Sequence, residues 1–209
     1  MRLVSEIISV VLILIISLSL VSLIIMYGYP MITKAQDKGA LERIITLFSP
    51  EYTNSIVKKM EQVSKFGGST TINLEIRGAW EVVGFNAESE MNNSLSYTFI
   101  SKVTNVNSNR YISLSKGESC PPGDGIIGIN SPFVVCFKGE PSSTGFIIKY
   151  TIFARNLTSD DQTYVVRLKP KTGDTARSTS TSIRIERTNL ESFYEDGKKI
   201  IIATLEVIL

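Results

Sequence analysis

The sequence predicts an α+β chain, in which one long hydrophobic helix at the N-terminus and short amphipathic helices precede an antiparallel β-sandwich domain. Three observations predict it. Residues 7–26 form an uninterrupted apolar run. Residues 33–66 carry apolar side chains at spacings of three and four, as a helix face requires. From Ser69 onward, short apolar or alternating runs are separated by turn residues. The domains implied are 1–30 for the hydrophobic helix, 31–68 for an amphipathic helical stalk and 69–209 for the sandwich.

The first element reads IISVVLILIISLSLVSLIIM, sixteen apolar residues and four serines without a charge. About 20 helical residues cross a hydrocarbon layer of about 30 Å. The run is apolar all round, unlike a surface helix. Tyr27 and Tyr29 suit an interfacial aromatic belt, and Gly28 and Pro30 predict a break or kink. A cleaved secretory signal is the rival reading. Such a signal has a shorter apolar part and ends in a small-residue cleavage site, which this run lacks, so the helix is expected to stay on the protein. Ser5, Ser9, Ser19 and Ser22 fall broadly on one side. Either they let helices approach closely in lipid, or they are simply tolerated.

Two shorter helices are expected next. In 33–48, Leu41, Ile44, Ile45 and Phe48 make one apolar face, with Gly39 a weak point. Ser49-Pro50-Glu51 predicts a restart, with Ser49 as cap and Pro50 at the first helical position. The second helix should bury Ile56, Met60 and Val63 and end at Gly67-Gly68.

The β-rich region offers strands over 71–77, 79–85, 94–103, 110–114, 125–129, 133–138, 145–154, 162–169, 179–187 and 198–208. Asp196-Gly197 predicts a tight hairpin before the last of them. That strand, IIIATLEVIL at 200–209, is apolar enough for a central place in the sheet; donation to a neighbouring subunit is the alternative. Trp80 reads as core. The acid pairs Asp160-Asp161 and Glu195-Asp196 read as turn residues.

Composition narrows the function. Residues 67–209 carry fifteen basic and fifteen acidic side chains, so this region has no basic field and nucleic acid is not an expected partner. The chain has no histidine, which removes imidazole acid–base chemistry, histidine-dependent nucleophiles and the commonest transition-metal ligand. No phosphate-binding glycine loop, nucleophile elbow or calcium loop is present. No catalytic residue, cofactor or metal is therefore expected, and the protein reads as a non-enzyme. Cys120 and Cys136 bracket a loop-rich stretch and read as a disulfide in an exterior compartment, with two buried free thiols as the alternative.

Basic residues on both flanks of the apolar helix leave orientation to other features. Arg2 lies on one side; Lys34, Lys38 and Arg43 lie on the other. The cysteine pair and two N-glycosylation sequons, at Asn92 and Asn156, suit a domain outside the cell.

The start of the chain, Met1-Arg2-Leu3-Val4-Ser5-Glu6-Ile7-Ile8-Ser9-Val10-Val11-Leu12, resembles archaeal type IV pilin-like proteins. It has a short basic leader, a Ser-Glu pair and a long aliphatic helix. The resemblance covers about thirty residues closely and extends loosely to the helix-then-β layout. It implies a class III signal cut on the cytoplasmic side, here between Arg2 and Leu3. The usual leader ends in a basic residue followed by a small one, and Leu3 departs from that. It also implies a helix that sits first in membrane lipid and later in a filament core, with like subunits or other pilins as partners. The β-domain would face outward and could meet a surface layer. Glu6 would be the carboxylate that pairs with a neighbouring subunit's amine and sets axial register. The function implied is a major or minor subunit of a pilus-like filament at the cell surface. The alternative is a single-pass membrane-anchored sandwich that binds the envelope or a component of a pilus or archaellum machine.

Overall fold

The computed structural model describes the backbone of residues 2–74, 76–86, 92–102, 108–143 and 145–209, and the side chains of 8–74, 76–86, 92–102, 109–143 and 145–209. The chain divides into two compact units, Met1–Ala40 and Leu41–Leu209. The division falls inside the second helix.

Among the described residues three helices come first. Helix α1 covers Arg2–Leu23, α2 covers Tyr29–Phe48 and α3 covers Ile56–Phe66. Between α1 and α2 the chain does not break at Gly28 and Pro30, contrary to the sequence expectation. Ile24–Gly28 forms a π-helical turn instead. A shift to i−5 bonding carries a helix past a proline, because the carbonyl that loses its usual donor can take the next N–H.

The expected restart at Ser49-Pro50 is also corrected. Residues 49–55 form turns, with Tyr52 N–H donating to Ser49 O at 3.3 Å and Ser55 N–H to Tyr52 O at 3.1 Å. Helix α3 starts after Ser55, whose side-chain oxygen accepts the Lys58 N–H at 3.3 Å. A serine is the right cap at either place; the one that wins is followed directly by Ile56 and Val57, which are fully buried. Gly67 ends α3 at φ 83°, its N–H on Val63 O at 2.9 Å.

Among the described residues twelve strands follow: β1 (Ser69–Asn73), β2 (Ala79–Val83), β3 (Ser94–Ser101), β4 (Ser108–Ser113), β5 (Gly125–Ile126), β6 (Phe133–Ser142), β7 (Gly145–Ala154), β8 (Leu157–Thr158), β9 (Gln162–Pro170), β10 (Thr175–Ser178), β11 (Ser182–Glu195) and β12 (Lys198–Ile208). The expected strands at 71–77 and 94–103 reach Glu75 and Val103, which lie outside the described residues. They make two six-stranded sheets, β1-β11-β12-β9-β8-β5 and β10-β2-β3-β7-β6-β4. Pairing is mostly antiparallel, as expected of the sandwich, with β12 parallel to β9 and β5 parallel to β8 as exceptions. The reason is topological. After β9 the chain leaves for the other sheet as β10 and returns as β11, so the hairpin partner β12 arrives in the direction of β9.

The inner faces of both sheets close one core. Trp80, Val82, Leu95, Tyr97, Tyr150 and Ile152 come from one sheet, and Ile72, Val166, Ile183, Ile185, Leu205 and Val207 from the other. Phe48 of α2 sits among the rings, 4.8 Å from the Tyr150 centroid, and α3 adds Ile56, Val57, Met60 and Val63. At 1.5–3 kcal/mol for each large side chain, this burial is what holds the unit. The last strand is internal, paired with β11 on one side and β9 on the other. Its hairpin turns at Asp196 (φ 52°) and Gly197 (φ 79°), the left-handed pair that a two-residue turn needs.

Candidate functional site

Two features stand out, one in each unit. In the first unit, the described large apolar side chains from Ile8 to Ile32 are each 50–73% exposed. Helix α1 has 22 residues, about 33 Å at 1.5 Å per residue. The stretch Ile8–Phe48 contains a helix long and apolar enough to cross a membrane, and none of its most apolar window is buried within the chain. Such a surface is unfavourable in water. The serine hydroxyls do not oppose this. Ser19 Oγ donates to Ile15 O at 2.8 Å, inside its own helix. Arg2, Leu3 and Glu6 belong to α1, but their side chains lie outside the described residues.

In the second unit, the cysteines form a disulfide, with Cα atoms 6.0 Å apart. Cys136 and Val134 of β6 and Phe153 of β7 form a small cluster separate from the main core, and Cys120 packs on it. A polar knot fixes the rest of this loop. Arg155 is 7% exposed. Its Nη1 and Nη2 donate to the two Glu118 oxygens at 2.6 and 2.7 Å, and its Nε donates to Ser131 O at 3.0 Å. Glu118 Oε1 also accepts from Asn130 Nδ2 at 3.1 Å, and Asn130 Oδ1 accepts the Ile126 N–H at 2.8 Å. The hydrogen bonds from Arg155 hold the Glu118 carboxyl below its usual range. A buried guanidinium forked on a carboxylate is a geometric clamp as well as a charge pair.

The clamped loop forms one wall of a cleft of about 580 Å³, with Ile129 on that wall, Lys58 and Glu61 of α3 opposite, and Leu190, Ile201 and Tyr164 of the sheet beneath. Ile126, Ile129 and Leu190 are exposed. Burial raises the pKa of the Tyr164 hydroxyl, opposed by Ser64, Lys65 and Arg187.

The two sequons are differently placed. Asn92 is half-buried just before β3, and the hydroxyl-bearing Ser94 of its sequon is buried. Asn156 is half-buried between β7 and β8; its carbonyl accepts the Gly125 N–H at 2.9 Å, and Thr158 Oγ1 donates to Gly125 O at 3.4 Å. Sequence reasoning missed two positions. Asn93, at φ 66°, joins the sheets: its Nδ2 donates to Val166 O at 2.7 Å and Ala154 O at 3.2 Å, and its Oδ1 accepts the Leu168 N–H at 2.7 Å. Arg155 was equally silent, since nothing local to it marks a partner 37 residues away. The only hint for Asn93 is that asparagine tolerates the left-handed region.

No known protein family, curated protein or solved structure matches the chain.

Proposed function

We propose that the chain is a major or minor subunit of a surface filament of the archaeal type IV pilus kind, assembled through its N-terminal helix. The observation that carries this reading is the union of an all-round apolar, exposed helix with a sandwich that completes its own core. The helix needs an external apolar environment, whereas the sandwich can face water. Lipid would serve before assembly and like helices afterwards. The disulfide supports an exterior place for the sandwich. The role is mechanical rather than catalytic, which the absence of histidine favours.

The test is electron microscopy of cells overproducing the protein, with N-terminal sequencing of material sheared from them. Filaments whose subunit begins at Leu3 are expected. Intact Met1 on protein confined to the membrane, with no filaments, overturns the reading.

A second reading is a single-pass anchored sandwich that binds the envelope or a pilus or archaellum component. It is favoured by Ser19, whose hydroxyl is satisfied within its own helix and so requires no neighbouring helix. Membrane-confined protein that co-purifies with one envelope component would support it.

A further inference from the structure

The sandwich holds another cleft, of about 610 Å³, over the face of the sheet that carries β9, β12 and β11. Arg167 and Lys169 stand at alternate positions of β9 and therefore on one face. Thr204 of β12 is the register partner of Arg167, and Asn189 of β11 is the partner of Thr204, so all four share that face. Between Arg187 and Asn189 the register shifts, and Thr188 is the extra residue of the bulge. Bulges of this kind re-aim side chains and collect near functional sites.

Two cations, Arg167 and Lys169, and one carboxylate, Asp174, line the cleft. Glu206 is the register partner of Lys169 and shares its face. Among the described residues neither Arg167 nor Lys169 is held in an ion pair. The Arg167 guanidinium instead lies over the Phe85 ring, 4.6 Å from its centroid, and its Nε is buried without a hydrogen bond. Stacking fixes the orientation of the guanidinium fork, which suits a carboxylate. Thr188 and Thr204 bring hydroxyls that both donate and accept, and Asn189 brings an amide whose Nδ2 also donates to Glu191. Phe85 remains 41% exposed and offers apolar ring surface beside the charge. An anion flanked by many hydroxyls, with an apolar C–H face, matches this set. An acidic peptide fits less well, because β-proteins take extended peptides on a free strand edge. The floor here is a sheet face whose middle strand, β12, is paired on both sides.

We propose that this cleft binds a carboxylate-bearing saccharide of the uronic-acid class. The carboxylate would rest on Arg167 and Lys169, and the sugar hydroxyls on Thr188, Asn189 and Thr204. This inference is independent of the filament reading, since it uses the sandwich alone.

The test is calorimetric titration of the full-length protein in detergent micelles with trigalacturonate at about 50 mM salt, where screening is modest. Saturable one-site binding is expected. Arg167→Gln should weaken it about tenfold or more, the worth of one charge-assisted hydrogen bond. Lys169→Gln and Thr188→Ala should weaken it by smaller factors, and Lys59→Gln on α3 should leave it unchanged. Should Arg167→Gln lose its folded circular dichroism signal, Lys169→Gln and Thr188→Ala decide. Absence of saturable binding, or binding that the cleft substitutions leave untouched, overturns the proposal. So does equal binding of a neutral galactose trimer, which would remove the role of the cations. Equal binding of tri-glutamate would assign the cleft to carboxylates of peptides instead.

Discussion

Helices α1 and α3 are made from the same kinds of aliphatic residue and meet opposite fates. Every described large apolar side chain of α1 is at least half exposed, whereas Ile56, Val57 and Met60 of α3 are fully buried. The difference lies in angular distribution, not in hydrophobicity. Helix α3 has its apolar residues on one stripe, with Lys58, Glu61 and Lys65 on the other side. A stripe can be covered by the chain's own sheets. Helix α1 is apolar in every direction, so no single packing partner can cover it. One helix therefore completes a core, and the other leaves its apolar surface uncovered by the chain.

Substitutions should split the two regions cleanly. The largest effect is expected from Trp80→Ala, because Trp80 is fully buried and packs against the tilted ring of Tyr97 at 4.7 Å between centroids. A loss of about 4 kcal/mol in the unfolding of the sandwich, read by urea titration of tertiary circular dichroism, is the expected outcome. Membrane retention after carbonate washing should not change. Ile15→Lys should do the reverse. A lysine at the middle of a membrane helix costs about 3 kcal/mol of insertion, so the protein should leave the membrane pellet while the urea midpoint of the sandwich stays put.

A smaller loss, about 2 kcal/mol, is expected for Glu118→Ala. It strands the nearly buried Arg155, and the figure is reduced from that of a fully buried pair because Glu118 is 19% exposed. The same pair gives a pH dependence. The folded carboxyl sits below its unfolded value of about 4.3, so the stabilisation is fully present above that pH and is lost as pH falls through the folded value. Acid titration of wild type and variant should therefore converge at low pH and separate above it; curves that stay parallel throughout would count against the clamp. The smallest effect is expected at the hairpin, where Gly197→Ala forces a side chain onto φ 79° for about 1 kcal/mol, measurable as a small shift in urea midpoint.

Much of the fold was legible because its signals are local. The period of two in the strands, the Asp196-Gly197 turn and the stripe Ile56-Met60-Val63 each declare themselves within a few residues. The short pairs β8 and β10 were missed, since two to four residues carry no period. Sequence patterning placed the cap at Ser49; the cap is Ser55, because the residues after it, Ile56 and Val57, are the ones that are buried. The clefts were illegible for a different reason. Arg167, Thr188 and Thr204 share a cleft through strand register and a bulge, and neither is written in any one segment.

By itself the sequence determined that an apolar helix precedes a β-rich region, that Ile72 and Leu74 share one face of an alternating segment, and that the chain supplies no imidazole, since each follows from residue type and spacing. Tertiary structure alone decided that β12 runs parallel to β9, that Asn93 bridges the sheets, and that Arg155 clamps the disulfide-bonded loop through Glu118. These depend on partners tens of residues apart, which meet only once two sheets have closed on one core.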